Sequence, residues 1–193
     1  IPNFNISVGI TDDFIVAVRN NRDFELVNPR SGEIVDKMKA VDLFDNIIQH
    51  AWNNGEPGVL FIDEINRHNV VPQLGEIEST NPCGEEPLLG YESCNLGSIN
   101  LGRFVKAKQI DWDRLQYVTK LAVRFLDNVI DMNKYPLPQV EAKTKLTRKI
   151  GLGVMGFADL LIKLNIKYDT DEAIQKAHEV MKFIYTNAIS ISM

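Results

Sequence analysis

Apolar and polar positions along the chain change period several times, and each change marks an element. "NFNISV" is strand-like, and "FIVAVRN" then takes a helical spacing that Thr11 or Asp12 can cap. "FELVNPRSGEIV" reads as a hairpin whose turn comes from Asn28, Pro29, Ser31 and Gly32. From Val41 to Asn54, Phe44, Ile47, Ile48 and Ala51 line one helical face, and Gly55 ends it. "VLFI" is apolar throughout, as a buried parallel strand is. From Asp111 to Met132, Leu115, Val118, Ala122, Phe125, Val129 and Met132 trace a core-facing stripe that Leu121 and Ile130 widen. Further helices are expected over 137–149, 156–164 and 170–193.

Strands that alternate with amphipathic helices point to an α/β protein with crossover helices. At 193 residues, with 45% apolar and 24% charged residues, the composition is that of a packed globular chain. A net charge of −5 argues against a nucleic-acid surface, so no direct DNA binding is expected. No apolar run approaches the roughly 20 residues of a membrane span. Two cysteines do not make a disulfide framework, which favours a reducing cytoplasm. The chain opens on "IPNFNISV", a strand already under way. It closes on "DEAIQKAHEVMKFIYTNAISISM", where Ile174, Ala177, Met181, Ile184, Ala188 and Ile191 keep an apolar stripe to the last turn. No stop signal follows, so residues 1–193 are expected to be an internal piece of a larger protein.

Two short motifs invite nucleotide readings that their surroundings do not support. "VLFIDEI" has the form of a Walker B strand with Asp63 and Glu64 at its end, but no Gly in the chain is followed by Lys, as a phosphate loop needs. Acidic residues capping a strand or opening a helix explain it better than a P-loop ATPase does. "GLGVMG", Gly151 to Gly156, matches the dinucleotide glycine pattern, with Asp171 downstream. The charged "KTKLTRKI" stands where an apolar strand should precede it, so close packing at a strand-to-helix turn is expected instead. His50, His68 and His178 show no ligand spacing with the cysteines, and no metal site is expected.

The candidate chemistry lies in "STNPCGEEPLLGYESCNLGSINL", which holds Cys83 and Cys94. On an extended backbone Asn81, Cys83 and Glu85 would point to one side, presenting an amide, a thiol and a carboxylate in a row. Pro82 and Gly84 exclude a central strand, so a loop is expected. Either it is a surface loop with a cysteine in it, or it is a site. A Cys–His hydrolase is disfavoured, because a carboxylate cannot replace imidazole in forming a thiolate and works against that form. A neutral thiol beside a base suits one-electron chemistry.

"ESTNPCGEEPLLGYESCNLGSINL" resembles the active-site stretch of ribonucleotide reductase large chains, and is closest to the adenosylcobalamin-dependent class II enzymes. "NISVGITDDF", "PGVLFIDEINRHN" and "RKIGLGVMGFADLL" are similar to further stretches of that family, in the expected order. The resemblance implies about half of a ten-stranded α/β barrel threaded by the active-site loop. It implies that Cys83 carries the thiyl radical that abstracts the ribose 3′ hydrogen. Glu85 would be the base for the 3′-hydroxyl proton, and Asn81 the amide that holds substrate hydroxyls. Cys94 would be one member of a redox pair whose partner lies outside this chain. Adenosylcobalamin, a ribonucleotide substrate (diphosphate before triphosphate), nucleotide effectors, a thioredoxin-type reductant and a homodimer follow from the same resemblance. A class I enzyme with a separate metallo-subunit is the nearest alternative.

Overall fold

The computed structural model describes residues 4–192, which fall into two compact units, one running to Gly90 and one starting at Tyr91. The start of the expected opening strand and Met193 of the last expected helix lie outside the described residues.

The first unit begins with β1 (Ser7–Ile10) and α1 (Asp12–Arg19). Thr11 caps the helix, its hydroxyl accepting from the Phe14 amide at 3.2 Å. A hairpin follows, β2 (Asp23–Val27) and β3 (Ile34–Lys39), antiparallel as expected. Its turn closes on Asn28, whose carbonyl accepts from Gly32 at 2.8 Å and whose side chain accepts from Arg30 at 2.9 Å. Next comes α2 (Ala40–Asn54), stopped by Gly55 at φ +84°. β4 (Gly58–Phe61) returns parallel to β1, in the register Ser7↔Gly58 to Ile10↔Phe61. Parallel neighbours require a crossover, and α1, the hairpin and α2 together form it. Phe14 centres the core, 5.0 Å edge-on to Phe24 and 6.4 Å from Phe44, over Ile10, Ala17 and Ala40. The unit ends with α3 (Ile62–Arg67) and an antiparallel pair, β5 (Ile77–Thr80) and β6 (Pro87–Leu89).

The second unit repeats the parallel logic. β7 (Asn95–Asn100) is followed by a two-residue pair, β8 (Val105–Lys106) and β9 (Gln109–Ile110). Then come α4 (Trp112–Met132), capped by Asp111, α5 (Pro138–Thr147) and β10 (Ile150–Met155). β10 runs parallel to β7 from Ile150↔Asn95 to Met155↔Asn100. "GLGVMG" is thus largely this strand, and its last glycine opens α6 (Phe157–Leu164). Gly156 sits at φ +67°, and a Cβ there would fall 2.5 Å from Asn100 Oδ1, so the close packing expected of this stretch is present. α7 (Asp171–Ser192) completes a core of Ile99, Leu101, Phe104, Leu115, Leu160, Val180 and Ile184.

Two expectations are corrected. "VLFI" is a parallel strand, but it is not buried: Val59 and Phe61 are exposed, because β1 is its only sheet neighbour among the described residues. The stripes expected on α4 and α7 are also displaced. On α4 the buried positions are Leu115, Thr119, Val123, Leu126 and Ile130, while Leu121, Phe125 and Met132 are exposed. On α7 they are Ala173, Val180, Ile184 and Asn187, with Ile174, Met181 and Ile191 exposed. Polar residues enter the buried face because each is satisfied there. Thr119 donates to the Leu115 carbonyl at 2.8 Å, and Asn187 accepts from Gln116 at 2.7 Å. The described residues form five two-stranded sheets and no closed one.

Candidate active site

The "NPCGE" segment is the connection between β5 and β6. Asn81, Pro82 and Gly84 occupy the first, second and fourth places of a turn, where such residues are favoured, and Cys83 takes the third. The Gly84 amide donates to the Asn81 carbonyl at 3.0 Å, and Gly84 adopts φ +85°. Asn81 then shuts the base of the loop. Its amide donates to the Glu86 carbonyl at 3.2 Å, and its side-chain Oδ1 accepts from the Glu86 amide at 3.0 Å. That leaves the Asn81 Nδ2 as its remaining donor group. Cys83 stands exposed on the turn and Glu85 is exposed beside it.

The loop is as expected, but the extended row of Asn81, Cys83 and Glu85 is not. A bend at Pro82–Cys83 cancels the period of two on which that row depended. Instead, Asn81 and Cys83 belong to a closed turn and Glu85 directly follows it. Asn81 and Pro82 also line a concave pocket of about 470 Å³ with Ser7, Gly9, Leu60 and Glu78. Glu78 is its one ionisable lining residue.

A residue that sequence reasoning missed anchors this hairpin. Asn66, on α3, accepts from the Ile77 amide at 2.8 Å and donates to the Ile77 carbonyl at 3.0 Å. Its Nδ2 also reaches the Ile62 carbonyl at 3.1 Å. The side-chain amide therefore completes the main-chain hydrogen bonding where β5 begins. Its only sequence signal was an Asn in a short helix, which names no partner.

The acidic residues of "VLFIDEI" are used structurally, as expected. Asp63 accepts from the Asp12 amide at 2.8 Å, and Glu64 pairs with Arg67 and with His68. Hydrogen bonding from Arg67, then from His68, holds the Glu64 carboxyl below its ordinary range. Asp12, then Glu64, raises Arg67 further. His50 and His178 are exposed on α2 and α7. Among the described residues no group of His, Cys, Asp and Glu side chains could hold a metal ion, and no helix is long and apolar enough to cross a membrane.

In the second unit Cys94 is half-buried, in an irregular segment just ahead of β7. Both cysteines are thiols. The residues flanking Cys94 are each tied down. Glu92, its side chain fully buried, meets Lys149 Nζ at 2.7 Å, and the Ser93 hydroxyl meets that of buried Thr144 at 2.8 Å. Asn95 Nδ2 donates to the Leu126 carbonyl at 3.2 Å. None of these partners was legible in the sequence, because they lie 57, 51 and 31 positions away.

Residues 1–193 match the family model described as the ribonucleotide reductase barrel domain. The chain is similar to the vitamin B12-dependent ribonucleoside-diphosphate reductase of Thermoplasma acidophilum, 56% identical over 185 residues, which cover 95% of this chain and 24% of that protein. The protein of the same name from Mycobacterium tuberculosis strain CDC 1551 is 54% identical over 192 residues, 100% of this chain and 28% of that one. The ribonucleoside-diphosphate reductase subunit alpha of Chlamydia pneumoniae is 37% identical over 168 residues, 84% and 16% of the respective chains. The chain thus spans about a quarter of the length of the vitamin B12-dependent relatives named here.

Proposed function

The chain belongs to the ribonucleotide reductase barrel-domain family, and from that premise we propose that it carries the radical-bearing loop of an adenosylcobalamin-dependent ribonucleotide reductase. Residues 1–193 would form part of that enzyme's catalytic barrel. The observation that carries the proposal is the closed turn that holds Cys83 exposed between Asn81 and Glu85.

The residue types suit the chemistry. A thiyl radical on Cys83 takes the hydrogen from the ribose 3′ carbon. The Glu85 carboxylate takes the 3′-hydroxyl proton, and the Asn81 Nδ2 group holds substrate hydroxyls. The C2′–O bond then breaks and the oxygen leaves as water. Cys94 and a second cysteine thiol outside this chain supply two electrons and two protons as they close to a disulfide. Cys83 returns the hydrogen to the 3′ carbon, Glu85 returns the proton to the 3′ oxygen, and a thioredoxin-type dithiol restores the pair. When bound, adenosylcobalamin would supply the one-electron oxidising equivalent that removes the hydrogen atom from the Cys83 thiol. An exposed thiol on a turn fits an acceptor that arrives from outside the chain.

The vitamin B12-dependent names of the Thermoplasma and Mycobacterium relatives, at 56% and 54% identity, support the cobalamin class over a class I enzyme. The same names support a diphosphate substrate. Nucleotide effectors and a homodimer belong to the proposal through the family alone.

Substitution in the full-length reductase tests the assignment. Cys83→Ser is expected to abolish turnover. Glu85→Gln is expected to keep substrate binding and slow the chemical step by about 10²–10⁴-fold. A Glu85→Gln enzyme with unchanged turnover would remove the base from the proposal. The chain by itself, with two cysteines in two different roles, is expected to be inactive. Nucleotide-dependent turnover by it with dithiol and adenosylcobalamin would contradict this.

A further inference from the structure

Cys94 lies in a segment without regular secondary structure, yet the residues on either side of it are tethered to three different places. Glu92 is tied to Lys149 at the entry to β10, Ser93 to Thr144 of α5, and Asn95 to the Leu126 carbonyl of α4. The Glu92 side chain is fully buried and that of Lys149 is half-buried, with side-chain exposures of 0% and 21%. An ion pair withdrawn from water is a poor source of stability, since apolar residues of similar volume serve as well or better. What it does supply is geometry, because a buried carboxylate is held where its ion-pair partner is. The parallel register sets the Lys149 main chain close to that of Cys94. Ile150 lies opposite Asn95, so the strand that follows Lys149 begins beside the residue that follows Cys94.

We propose that Glu92, paired with Lys149, is a positioning residue for the Cys94 thiol, holding it in the one placement from which it can close a disulfide with its partner cysteine. The Ser93–Thr144 hydroxyl pair is the second anchor of the same device. This rests on the assignment of Cys94 as a redox thiol, and it adds residues to which no role has so far been given. Loosening the anchor should leave the radical step at Cys83 intact and disrupt only the dithiol step.

Two measurements test it, one independent of activity. In the chain itself, the alkylation rate of Cys94 by a small maleimide is followed by mass spectrometry, with exposed Cys83 as internal reference. Glu92→Gln and the milder Ser93→Ala should each raise the Cys94 rate, about tenfold or more for the first, with the Cys83 rate unchanged and the circular dichroism spectrum preserved. Unchanged Cys94 rates in both variants would overturn the proposal. If Glu92→Gln does not fold, Ser93→Ala alone decides.

In the full-length reductase, the same variants should lower deoxynucleotide formed per 3′-tritium released, by about tenfold for Glu92→Gln. An equal fall in both quantities would mean a general structural role and also overturn the proposal. If the unaltered reductase forms no deoxynucleotide, the functional assignment fails instead, while the alkylation result still reports on the anchor.

Discussion

Each unit carries one cysteine in an irregular segment, and the two segments are held by opposite means. At Cys83 the fastenings are local: the Gly84 amide to the Asn81 carbonyl, and Glu86 to Asn81 through both main chain and side chain. At Cys94 they are remote, reaching Leu126, Thr144 and Lys149. The first arrangement can form as soon as β5 and β6 pair. The second exists only once α4, α5 and β10 have packed. The contrast fits the proposed chemistry, since a radical carrier on a turn can stay accessible while a redox thiol gains from a fixed place in a folded frame.

Breaking one fastening in each segment should expose this difference. The largest stability effect is expected from Lys149→Met, which leaves the Glu92 carboxylate without the ammonium beside it. A loss of about 3 kcal/mol in urea unfolding of the second unit is expected, with faster amide exchange at 92–95. A change under about 1 kcal/mol would mean that the pair is not an anchor.

Asn81→Ala should cost less, about 1 kcal/mol, because it removes one acceptor from a partly exposed loop. Its effect should be confined to exchange at 81–86. Spread of the effect beyond β5 and β6 would contradict local closure.

Gly84→Ala tests the turn alone. The nearest atom to an added Cβ is Leu60 Cδ2, at an ordinary 3.9 Å, so only the φ of +85° opposes the change. About 1 kcal/mol is expected, and Gly84→Asn should recover part of it. Equal losses for Ala and Asn would point to a steric cause instead.

The smallest effect concerns acid. Arg148 holds the Asp131 carboxyl below its ordinary range through their hydrogen bonds. A depressed carboxyl contributes stability above its unfolded-state pKa and loses it as pH falls through the lower folded value. Arg148→Met should therefore reduce the acid sensitivity of the second unit slightly, and a steeper acid profile in that variant would contradict the pairing.

The same division between local and remote separates what could be read in the sequence from what could not. Thr11, Gly55 and the Asn28 turn were legible because caps and turns are decided by neighbouring residues. Pro82 and Gly84 announced a loop correctly, yet the row of Asn81, Cys83 and Glu85 failed because a turn signature overrides strand periodicity. On α4 and α7, apolar residues occupy two adjacent faces. Periodicity finds that such a helix has an apolar side, but only the packed partner selects which one. Thus Thr119 and Asn187 are buried where Leu121 and Ile174 are not. The Glu92–Lys149 pair left no trace at all, since neither residue differs locally from any surface charge.

The central claim is the division of labour between the two thiols, and tritium release from 3′-labelled ribonucleotide tests it most directly. In the full-length reductase, Cys83→Ser should release no tritium and form no deoxynucleotide. Cys94→Ser should still release tritium while failing to complete reduction. Release by Cys83→Ser together with none by Cys94→Ser would reverse the two roles, and normal deoxynucleotide formation by both would contradict the radical account of "NPCGE" outright.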